Sequence, residues 1–110
     1  MSEYQRVTPV TKEAAEIRLN LAKGEELCLL LLALCDLEDW KWVQNVYLKY
    51  IYDDDLWVAS AAITGIGHLA RVSGQLDKKI VVKSLTDLAA VKPNLEGKVC
   101  DTISDIDMFL

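Results

Sequence analysis

A chain of 110 residues, 52% apolar and 26% charged, has the make-up of one globular domain able to bury a core without staples or metals. Its formal net charge of −5 argues against nucleic acid as a direct partner, because phosphate binding needs a basic patch. Glu3, Arg6 and Lys12 interrupt the opening stretch, the longest apolar run (27–35) is far short of the roughly 20 residues that span a membrane, and three cysteines form no disulfide framework, so a cytoplasmic protein is expected.

Ser2 to Val7 read as a loose lead-in, and Thr8-Pro9 as an N-cap followed by proline at the first helical position, with Thr11 a second candidate cap. Ala14, Ile17 and Leu21 are spaced for an amphipathic first helix to about Lys23, which Gly24 closes in a left-handed conformation. Glu25 and Glu26 then open a second helix at the positive end of its dipole. Residues 27–35 are apolar on every side, which predicts the central buried helix of the domain, with Cys28 and Cys35 in its core face.

Asp36 to Asp39 end that helix and cap a third, from Trp40 through Val43, Tyr47 and Ile51. Trp40, Trp42, Tyr47, Tyr50 and Tyr52 are more rings than one core face of a helix holds. Some are expected to cover the second helix, and one or two to anchor an interface. The acidic turn Asp53, Asp54, Asp55 runs straight into a fourth helix with apolar or small residues at Ala59, Ile63, Ile66 and Ala70, widened by Val58, Ala62 and Leu69. Both flanks of this helix must be covered, which leaves one polar stripe, Ser60, Thr64, His68 and Arg71, with Trp57 at its start.

Ser73-Gly74 stop the fourth helix. Asp77 caps a fifth, with Ile80, Leu85, Leu88 and Val91 inward and Lys78, Lys79 and Lys83 solvated. Pro93 separates it from a sixth, Leu95 to about Phe109, with Val99, Ile103 and Ile106 inward. The fold class is therefore all-α, six helices in three antiparallel hairpins at roughly 8–37, 39–73 and 77–110. An offset of about forty residues matches Leu48 with Leu88, Ile51 with Val91, Ile63 with Ile103 and Ile66 with Ile106, a period proper to two-helix repeats.

Asp55, Val58, Ala62, Ile63, Ile66 and Gly67 resemble the second helix of a HEAT repeat. The resemblance implies a short HEAT-like solenoid; a compact six-helix bundle is the alternative arrangement.

His68 has no cysteine or acid at ligand spacing, and the three aspartates lack the alternation and closing glutamate of a calcium loop. Gly65 and Gly67 lie within a helix, where they let a neighbour approach closely rather than cradle phosphate. Asp101 and Asp105, four apart, share a face of the last helix as a solvated or protein-binding pair. With no catalytic constellation, metal cage or cofactor motif, the expectation is a binding protein. Residues 36–55 carry six acids against two bases, a concentration that steers a basic partner while aromatic anchors give the complex its lifetime.

This acidic helical profile is similar to that of the immunity proteins of bacterial contact-dependent growth inhibition systems. The resemblance implies a cytosolic one-to-one complex with the nuclease domain of a cognate toxin, whose basic cleft the protein occludes. It implies Asp53, Asp54 and Asp55 as phosphate mimics, Trp57 and Trp40 as anchors, and Asp101 and Asp105 as a second patch. The alternative is a HEAT-like adaptor binding a host protein or helix along Ser60, Thr64, His68 and Arg71.

Overall fold

The computed structural model describes residues 11–110, which form six α-helices: α1 (Lys12–Leu21), α2 (Gly24–Ala33), α3 (Trp40–Tyr50), α4 (Leu56–Ser73), α5 (Lys78–Val91) and α6 (Glu96–Phe109). Short 3-10 turns, Leu34–Asp36 and Pro93–Leu95, follow α2 and precede α6. The expected all-α class and helix count hold among these residues. The Thr8-Pro9 cap lies outside them, and Thr11 performs that role, its hydroxyl accepting from the Ala14 N–H at 3.1 Å. Asp39 and Asp55 cap α3 and α4 in the same way. Gly74 ends α4 at φ +66°, a left-handed conformation that costs a residue without Cβ nothing. Gly24 is left-handed too, at φ +59°, but it opens α2 rather than closing α1, which stops at Leu21.

Consecutive helices pack as three hairpins, α1 on α2, α3 on α4 and α5 on α6. The second helix of each hairpin also packs on its counterpart, so α2, α4 and α6 form a row with α4 in the middle. Residues advance together along this row. Thr102 of α6 donates to the Ile63 carbonyl of α4 at 3.4 Å, and Asp105, one turn on, sits against Gly67. Neighbours in the row therefore run in the same direction. The starts of α4 and α6, at Leu56 and Glu96, reproduce the offset of forty.

Four expectations about burial are corrected. The central helix is α4, with ten of its eighteen residues buried, and not α2, which ends the row. Leu27, Leu30, Leu31 and Leu34 are buried on α2's inner face, but Leu29 is 62% exposed, and Cys28, expected in the core, is only half-buried. On α1 the stripe Ala14, Ile17, Leu21 faces outward, and Ala15, Leu19 and Ala22 pack inward. On α5, Val81 joins Leu85 and Leu88 inside while Ile80 and Val91 are exposed. Each replacement keeps the three-and-four spacing, so periodicity allowed both faces and packing chose between them.

Two close contacts made by α3 hold the helices together. The Tyr47 ring of α3 is fully buried, lies directly over Gly65 and donates its hydroxyl to the Leu31 carbonyl at 2.6 Å, where α2 tightens into its 3-10 turn. Gln44, also buried, holds the loop before α5: its amide donates to the Asp77 carboxylate at 2.9 Å and accepts from the Asp77 N–H at 2.7 Å. Asp77 does sit at the N-cap of α5, as expected, but its carboxylate serves Gln44 and Lys41 instead of the helix amides.

Candidate functional site: a groove along the fourth helix

Because α2 and α6 cover the two flanks of α4, its remaining stripe becomes the floor of a groove between them. Three compartments follow one another along it. The first, about 420 Å³, lies where α2 and α4 begin, bordered by Gly24, Glu25, Cys28, Leu29, Asp55 and Trp57. The second, about 280 Å³, shares Cys28 and Trp57 with the first and adds Leu32, Ser60, Ala61, Thr64 and Lys98. The third, about 230 Å³, shares Thr64 and Lys98 with the second and is polar, bordered further by His68, Arg71, Asp101, Thr102 and Asp105. These shared borders make one continuous channel, apolar at the helix starts and charged at the other end.

Eight of the candidate binding residues named in the sequence, Arg71 among them, come together here. Trp57 is 80% exposed at the junction of the first two compartments, followed along the floor by Ser60, Thr64 and His68. Asp101 and Asp105 of α6 stand across from His68, and Asp55 closes the opposite end. Trp40, Asp53 and Asp54 do not border the groove. Trp40 is half-buried against the core at the start of α3, with the Lys41 ammonium 6.0 Å from its ring.

The acidic turn is partly occupied by its own backbone. Asp53 accepts from the Asp55 N–H and Asp55 from the Trp57 N–H, both at 2.9 Å, while Lys92 donates to the Asp53 carbonyl at 3.4 Å. Asp55 therefore orients Trp57 as it caps α4. Asp55→Ala is expected to cost about 1 kcal/mol of stability, whereas Asp55→Asn, which keeps an acceptor, costs only a few tenths; urea unfolding of the two variants checks this.

Glu25, Cys28, Leu29, Leu32 and Lys98 also shape the site and were not foreseen from the sequence. For Cys28, Leu29 and Leu32 the signal was the surplus of apolar residues on α2, more than one buried face can use. Lys98 reaches from α6 to the Thr64 hydroxyl at 3.3 Å and bridges the channel between its second and third compartments. Burial raises the Cys28 thiol above its ordinary range, helped by Asp55, so it lines the groove as a protonated, weakly reactive group.

Among the described residues no group of three histidine, cysteine or acidic side chains is arranged to hold a metal ion. No described helix is long and apolar enough to cross a membrane. What this arrangement offers chemically is an open apolar trough with a ring standing in it and charges at its ends. The sequence matches no protein-family model, no curated protein and no solved structure.

Proposed function

We propose that this domain is a protein-binding module that captures a basic partner, and that in its specific form it is an immunity protein holding the nuclease domain of a toxin. The observation that carries the binding reading is Trp57, 80% exposed at the centre of a groove the fold builds around it. An indole left in water is a large apolar surface without a partner, and such residues dominate interface energetics. The nuclease form is supported by charge, since Glu25 and Asp55 border the groove and Asp53 and Asp54 precede it. A cleft that holds phosphate is basic, and carboxylates can occupy it.

The test is coexpression with the product of the neighbouring gene. A one-to-one complex with a basic domain that kills cells lacking this protein is the expected result. Asp54→Lys, which disturbs no cap, should then weaken binding and protection. Protection unaffected by that change would remove the acidic turn from the interface, and a neighbour that neither binds nor kills would sink the immunity form.

One observation favours the adaptor as a second reading. With Asp53 and Asp55 already accepting backbone N–H groups, the groove supplies the affinity and the turn supplies caps. Salt separates the two, because an interface held by charge weakens steeply with ionic strength and an apolar one does not.

A further inference from the structure

We infer that the groove takes a single amphipathic helix of the partner, seating an apolar residue between Leu29 and Trp57 and a basic residue against Glu25 and Asp55. This rests on the protein-binding reading above and specifies what is bound and where. Leu29, 62% exposed on α2, and Trp57, 80% exposed on α4, both border the compartment of about 420 Å³. Half-buried Cys28 lies beside them. A partner that covers both residues takes two large apolar side chains out of water and so gains its anchor there.

The shape points to a helix. The walls are helices, and the floor beyond Trp57 is Ser60, Ala61 and Thr64, small enough for a backbone to approach. From Trp57 to His68 the floor is about 17 Å long, at about 1.5 Å per residue, which matches three turns of an incoming helix. Helix-in-groove recognition uses anchors at three-and-four spacing, which three turns provide.

The charge points to a basic helix. The amino ends of α2 and α4 each present about half a positive charge. Lys92 adds one base at the turn. Glu25, Glu26 and Asp53 to Asp55 outnumber them, so the end of the groove is net negative. At the far end Asp101 and Asp105 are balanced by Arg71 and Lys98, so the negative bias that selects a basic residue lies at the start of the groove.

The probe is a synthetic 14-residue peptide of leucine and lysine patterned as an amphipathic helix, with a scrambled peptide of the same composition and a leucine–glutamate version as controls. The full chain carrying Trp40→Phe and Trp42→Phe leaves Trp57 as the only indole. Saturable blue-shifted emission with the patterned peptide alone is expected, with the Trp57 indole N–H resonance of the unmodified chain as the readout should those substitutions unfold it. Trp57→Ala should weaken binding at least tenfold by calorimetry, and Glu25→Gln with Asp55→Asn several-fold at low salt. No binding, equal binding of the scrambled peptide, or indifference to Trp57→Ala overturns the inference. A coexpressed partner whose binding ignores Trp57→Ala also overturns it while leaving the module reading intact. Absence of any protein partner counts instead against that reading.

Discussion

Tyr47→Ala is expected to lower the unfolding free energy by about 3–5 kcal/mol, the range for removing a large buried ring. The ring fills the space between α3 and α4, and its hydroxyl ties α3 to the end of α2, so one truncation loosens two helix contacts. The partner position makes the argument testable from the other side. A Cβ at Gly65 would lie 2.5 Å from the Tyr47 ring, so Gly65→Ala forces the ring to move, at about 1–3 kcal/mol, although alanine favours a helix by about 1 kcal/mol. In a Tyr47→Leu background that clash is gone, and Gly65→Ala should become neutral or stabilising. Additive effects in this double-mutant cycle would show that ring and glycine are not coupled.

The same ring gives the protein an alkaline limit. Burial pushes the Tyr47 phenol far above its ordinary range, and Tyr50 is raised in the same sense. The Tyr47 phenol, kept neutral by the fold, contributes stability that is full below about pH 10, the unfolded value, and declines above it by about 1.4 kcal/mol per pH unit. Tyr47→Phe should flatten the decline, leaving the smaller parts due to Tyr50 and to the thiols of Cys28 and Cys35, which burial raises in the same sense.

Gln44→Ala is the second large effect, about 1–3 kcal/mol, because it leaves the Asp77 N–H unpaired at a half-buried site and strips the carboxylate of one of its two partners, Lys41 remaining. Gln44 and then Lys41 hold the Asp77 carboxyl below its usual range. A depressed carboxyl stabilises the fold above the unfolded pKa, about 3.9, and that stability is lost as pH falls below it. The variant should therefore lose more stability relative to the parent at pH 7 than at pH 3 in urea unfolding. An equal loss at both would place the effect in packing and not in the hydrogen-bonded clamp.

Helix ends were legible from single residues with local chemistry: Thr11, Asp39, Asp55 and Gly74 act where their side chains or backbone freedom require. Helix faces were legible only where one apolar stripe existed. On α4 the polar stripe was unique, and it became the groove floor. On α1 and α5 two stripes competed, and the inward one was decided by which neighbour lay alongside, a tertiary fact. The position of α2 was misread for a related reason. Continuous leucine suggested burial on every side, yet only one flank of α2 has a row neighbour, and the surplus lines a trough. That Asp101 and Asp105 face His68 was hidden because it depends on α6 lying parallel to α4.

The position of α4 ties specificity to the architecture. The helix that carries the core also floors the proposed binding trough, so Ala59, Ala62, Ile63, Ile66 and Gly65 are answerable to packing and have little freedom to vary. Ser60, Thr64 and His68, one turn apart on the remaining side, can change without entering the core. A lineage of such domains could thus diversify its targets by exchanging three floor residues and the rims on α2 and α6, while the keel beneath stayed the same.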